Sequence, residues 1–222
     1  MSGFYDSYVD YIRDYWSSLT FSLPKSKGVQ IALPHDFVSP SSQDGIFEGD
    51  QFYWDSYFII LGLLKQGFVD LAKGMVDNLV YLCDHFGFVP LRNRMYNLGI
   101  SQPPFLSSMI LEVFNVTNDK EWLSSVVESV KHELSYWEDS KGIHNVFQGL
   151  SRYCDHWNLH TTSEHESGWD MTSRFDNRCL DMVPVDLNTL LYKTEIDIAF
   201  MYDTLGNSEL ADHFKDKASS RK

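Results

Sequence analysis

Cysteine is scarce in this chain of 222 residues, which holds only Cys83, Cys154 and Cys179. They are odd in number, far apart and never in a CxxC spacing. That pattern excludes a disulfide framework and points to free thiols in a reducing compartment. Basic residues are few as well: 18 Lys and Arg stand against 31 Asp and Glu, a formal net charge of −13. Nucleic-acid binding needs cations against phosphate, so this balance speaks against it, and it disfavours an anionic membrane surface. No apolar run reaches the ~18 residues that a membrane helix requires. Near the N-terminus, Asp6, Asp10 and Asp14 stand where a secretory leader would be apolar, so a cytoplasmic location is expected.

Several catalytic signatures are missing too. No GxSxG is present, which argues against a serine-hydrolase elbow. His156 and His160 are four apart, but Trp157 stands where an HExxH zinc site needs Glu. Neither metal nor cofactor is expected. Strand-like alternation is weak everywhere, with one short extended piece near residues 29–33.

What is present is a core-forming, aromatic-rich composition: 43% apolar and 15% aromatic residues, which excludes a disordered chain. Helical periodicity dominates. Trp122, Leu123, Val126, Val127, Val130, Leu134 and Trp137 recur at three- and four-residue spacing behind an Asn118 or Asp119 cap. Residues 52–66 and 68–86 read as helices that stop at Gly67 and Gly87. Pro103-Pro104 and Pro184 can each open another. With short helices at the chain ends and a frayed basic tail, KDKASSRK, the chain reads as all-α, about seven helices joined by long polar loops. The longest loops cover residues 22–49 and 139–181, where function tends to sit.

Three segments carry candidate chemistry. Phe52-Tyr53-Trp54-Asp55-Ser56-Tyr57-Phe58 sets one acid among aromatic rings. This suits a sugar platform, although composition alone favours a packed core and a helix-start acid. Residues 87–105 hold Arg92, Asn93, Arg94, Asn97 and Gln102, donors that a polyhydroxy ligand needs and that an ordinary polar loop also contains. Residues 151–174 hold Asp155, Glu164, Glu166 and Asp170, with Trp169 beside Asp170. A bulky apolar neighbour raises a carboxyl pKa by desolvation, as a general acid requires. On these residues alone, a capping aspartate, or one paired with Arg174 at i+4, is the favoured account of Asp170.

Together these segments resemble the trehalase family of glycoside hydrolases and its relatives that act on mannosylglycerate and N-glycan glucose. The family shows, in order, PGGRF-x-E-x-YYWDSYF, G-x-IPNG-x-R-x-YYLSRSQPPF and SGWDFSSRW. This chain shows FYWDSYF at 52–58, GFVPLRNRMYNLGISQPPF at 87–105 and ESGWDMTSRF at 166–175. The match runs over about residues 33–205 of what reads as a single domain, 1–222. The resemblance implies a partial (α/α)6 barrel and inverting hydrolysis of α,α-trehalose, or a related α-glucoside, in trehalose catabolism. It implies Asp170 as general acid, with Phe52, Trp54, Asp55, Arg94, Gln102, Glu164, Gly168 and Trp169 around the sugar.

Some positions depart from the pattern. Ile46 and Ile100 stand where the family has arginines, and Leu91-Arg92 replaces Asn-Gly. The family's general base is a Glu in its C-terminal half, with no counterpart in these 222 residues. The domain therefore reads as truncated, and a truncated gene product, a fragment, and a piece completed by a second chain or by self-association are the readings left open. An inactive sugar-binding or structural remnant, and a hydrolase of another glycoside such as mannosylglycerate, stay open as alternatives.

Overall fold

A computed structural model describes residues 2–42, 45–139 and 142–221, with side-chain surroundings from residue 7 onward. Gln43 and Asp44, within the segment that replaces PGGRF, lie outside the described residues. The α-helices are α1 (Ser2–Leu19), α2 (Tyr53–Lys65), α3 (Val69–Phe86), α4 (Leu106–Thr117), α5 (Lys120–Glu138), α6 (His160–Glu166), α7 (Val185–Thr204) and α8 (Ser208–Arg221). Two antiparallel ribbons accompany them: β1 (Thr20–Phe21) with β2 (Phe37–Val38), and β3 (Asn145–Phe147) with β4 (Leu150–Ser151).

Local chemistry sets the helix ends. Gly87 takes a left-handed φ of 80° and closes α3 through its N–H to the Cys83 carbonyl. The expected Asn118/Asp119 cap divides into two roles. Asn118, at φ 52°, ends α4, and the Asp119 carboxylate accepts the Trp122 N–H at 2.9 Å to start α5.

α2, α4 and α7 stand side by side. α3 packs against α2, α4 and α5, and α8 folds back along α7. This double layer of hairpins is the (α/α)6 architecture in part. Its core runs through Tyr53, Leu79, Met109, Trp137, Leu191 and Met201, all fully buried.

Three expectations change. Eight α-helices, not about seven, lie among the described residues, because α6 forms inside the region read as a loop. The terminal helices are long, 18 residues for α1 and 14 for α8. The basic tail is not frayed: α8 runs to Arg221, whose guanidinium is nearly buried against Glu138 and Glu195. The extended piece near 29–33 makes only isolated bridges, Gln30 pairing with Lys27 and Arg94.

α7 is apolar on opposite faces. Leu187, Leu191, Ile198 and Met201 face the core, while Val185 (76% exposed), Ile196 (38%) and Phe200 (48%) lie outward with Thr189 and Tyr192 between them. Two apolar stripes on one helix suit cover on both sides.

Candidate active site

The three motif segments meet at one cleft of about 580 Å³. α2 begins at its wall. Phe52 precedes the helix, and Trp54 and Asp55 occupy its first turn. Gln102, from the loop before α4, accepts the Trp54 N–H at 3.1 Å and so satisfies an orphan donor at the helix start. Phe52, Trp54, Asp55, Arg92, Asn97, Gln102, His165, Gly168 and Asp170 all line the space, with Phe47 and Leu91. A larger hollow of about 920 Å³ between the ends of α3 and α5 contains none of the expected site residues.

The turn after α6 aims Asp170. Gly168 and Asp170 both take left-handed φ, 72° and 52°. Glycine does so freely, and aspartate is among the side chains that tolerate it best. The Asp170 carboxylate is exposed to the cleft and makes no side-chain hydrogen bond among the described residues. Its expected alternative partner, Arg174, instead pairs with Asp186 at 2.6 Å and lies 4.8 Å from the Trp169 ring centroid. Ion pairing at i+4 therefore does not explain Asp170. Asp55 is half-buried, and burial raises its carboxyl above the ordinary range, with the nearby Asp170 charge adding to the rise. Two carboxylates thus face one cleft in mutual repulsion.

Glu166 ties the segments together, a role that sequence reasoning missed. This fully buried carboxylate accepts from Ser101 N (3.0 Å) and Tyr136 Oη (3.1 Å) on one oxygen. Its other oxygen accepts from Cys154 N at 2.7 Å and lies 3.1 Å from His144 Nε2. It clamps the Ser101-Gln102 loop to the Gly168–Asp170 turn. Beneath the cleft, Asn93 Oδ1 accepts Gln51 N at 2.8 Å while Asn93 Nδ2 donates to the Ile31 carbonyl at 3.1 Å, so buried amides hold the polar loops rigid.

Some expected residues stand off the cleft. Arg94 donates from Nε to Asp50 at 2.6 Å and lines a separate hollow with Lys27 and Gln30. Trp169 packs edge-on to Trp54, 6.1 Å between centroids, and donates Nε1 to Asp186. Glu164 is buried, and neither of its carboxylate oxygens has a hydrogen-bond partner among the described residues. Conversely, Phe47 and His165 reach the cleft without having been singled out as site residues, and Arg92 and Asn97, read only as donors of a polar segment, line it as well. His156 and His160 are engaged separately, by the Gly99 carbonyl and the Leu180 N–H. Among the described residues no three His, Cys, Asp or Glu are grouped to hold a metal, and no helix is long and apolar enough to cross a membrane.

A family model described as Trehalase matches residues 7–158 and 150–222. The chain belongs to the trehalase family. It is 34% identical to a probable trehalase from Oryza sativa subsp. japonica over 86% of this chain and 40% of that one. A periplasmic trehalase from Xanthomonas campestris is 33% identical over 76% of this chain and 37% of its own length. The chain thus spans about 40% or less of these relatives. Among solved structures, a neutral trehalase from Saccharomyces cerevisiae superposes with a TM-score of 0.76 at 24% identity, over 96% of this chain and 51% of that one. The chain therefore shares the fold of that structure over about half of its length.

Proposed function

We propose that this chain forms one wall of a trehalase-type active site that hydrolyses α,α-trehalose, or a closely related α-glucoside, with inversion. The observation that carries this is the convergence of Trp54, Asp55, Gln102 and Asp170 on one cleft. Phe52 and Trp54 supply apolar faces for a sugar ring, while Asp55 and Gln102 take its hydroxyls. Asp170, unpaired and aimed by the Gly168 turn, gives its proton to the leaving oxygen. Arg94 and Trp169 brace this wall from behind, and Glu164 lies buried beneath it. An inverting reaction also needs a base about 6.5–9.5 Å from the acid, to activate water from the opposite face. In our reading that carboxylate comes from the helices that complete the ring.

The outward stripe of α7 supports such completion, since Val185, Ile196 and Phe200 present an apolar edge where the next helices of the ring would pack. The partner is the remaining half of the barrel, continuous with this chain or supplied by a second one. Three buried free cysteines fit a reducing, cytoplasmic setting. Inversion at one anomeric carbon of α,α-trehalose releases one β-glucose and one α-glucose. Proton NMR at early times on the completed barrel should show the two anomers in equal amounts, and α-glucose alone would refute inversion.

A further inference from the structure

The cleft holds one cation that the family pattern does not supply. Ile46 and Ile100, which stand at family arginine positions, do not line the cleft: Ile46 is 85% exposed on the surface and Ile100 is 3% exposed within the core. Arg94 lies off the cleft on Asp50. Arg92 does line it, at a position where the family has glycine.

Its guanidinium is held by three hydrogen bonds. Nε donates to Asn97 Oδ1 at 3.0 Å, Nη1 to Asp50 Oδ2 at 2.9 Å and Nη2 to Tyr96 Oη at 3.1 Å. The rings of Phe52 and Tyr96 lie 5.0 and 5.4 Å from its central carbon. A guanidinium carries one N–H on Nε and two on each terminal nitrogen. One N–H on Nη1 and one on Nη2 therefore remain without a protein acceptor among the described residues.

We infer that Arg92 is the specificity-determining donor of this cleft, holding two neighbouring neutral hydroxyls of the sugar through its two spare N–H groups. The inference rests on the sugar-cleft reading above and names the residue that replaces the family's missing arginines. A neutral ligand is favoured over an anionic one for two reasons. Asp50 offsets part of the Arg92 charge, being shared with Arg94, and Asp55 and Asp170 on the same walls repel an anion. Pre-organisation matters here, because a fork held by three hydrogen bonds loses little freedom when a ligand binds.

The test is titration of the completed barrel with trehalose, and separately with trehalose 6-phosphate, followed at early times by tryptophan fluorescence. Wild type, Arg92→Met and Arg92→Lys are compared, with thermal melting as the check of fold. Arg94 and Gln30 still hold Asp50 when Arg92 is replaced, and Arg92→Lys keeps the charge as well, so a folded variant is secured. Trehalose affinity should fall about tenfold or more in Arg92→Met, as loss of charge-assisted bonds implies. It should fall several-fold in Arg92→Lys, which lacks the fork, and the phosphate ester should bind wild type no more tightly than trehalose. Equal trehalose affinity in all three proteins would overturn the inference and leave the sugar-cleft reading standing. Tighter binding of the phosphate ester that depends on Arg92 would overturn the neutral-ligand assignment. No binding of either sugar to wild type would overturn both the inference and the reading beneath it.

Discussion

Gly168 sits directly against the indole of Trp54: a Cβ built on Gly168 would come within 2.7 Å of the ring. The indole cannot easily retreat, since Phe58 and Trp169 both meet it edge-on, at 6.3 and 6.1 Å. The glycine of the Gly-Trp-Asp run therefore sets the gap between the sugar platform and the acid. Gly168→Ala would add a left-handed strain of about 1–2 kcal/mol to that collision. Its urea midpoint should drop by the equivalent of about 2 kcal/mol or more. Trehalose-dependent fluorescence should be lost as Trp54 and Asp170 move apart.

Glu166 offers a test of the clamp. In Glu166→Gln one carboxylate oxygen becomes an amide nitrogen facing the N–H of Ser101 or Cys154. Two buried donors then oppose each other, a loss of about 1–3 kcal/mol. Denaturant unfolding should show that loss. The same substitution at the more exposed Glu128, which pairs with Lys131, should change stability by less than about 1 kcal/mol.

Much of this site is legible in the sequence because its parts are contiguous motifs: the aromatic-acid run, the Ser-Gln-Pro-Pro loop and the Gly-Trp-Asp turn do converge. What is not legible depends on contacts distant in sequence or on fine loop geometry. Arg92 and Arg94 are two apart and chemically alike. Yet the Arg94 N–H donates to the Arg92 carbonyl at 2.7 Å in a tight turn, so one guanidinium enters the cleft and the other leaves it. The tail reads as frayed because Arg221 finds Glu138 and Glu195 at separations of 83 and 26 residues, which no local pattern reveals. α6 is hidden inside a polar loop because its seven residues are too few to show a period.

Glu133 makes stability depend on pH. It is fully buried beneath the cleft, where Tyr53 donates a hydrogen bond to it, and burial pushes its carboxyl up from 4.5 to about 8. Between those values the folded chain keeps a proton that the unfolded chain releases. The stability tied to Glu133 is thus full below about pH 4.5 and declines as pH rises toward 8. Glu133→Gln removes this term. Urea midpoints at pH 5 and pH 8 should differ less in the variant than in wild type, with more stability retained at pH 8.

Asp170 remains the residue on which the assignment turns. The decisive measurement is glucose release from trehalose by the completed barrel, comparing wild type with the Asp170→Asn variant. Removing an essential general acid should reduce turnover by at least about two orders of magnitude. The melting temperature should stay unchanged, because the Asp170 carboxylate holds nothing else in place among the described residues. Turnover that persists in Asp170→Asn at the wild-type rate would contradict its role as the acid of this cleft.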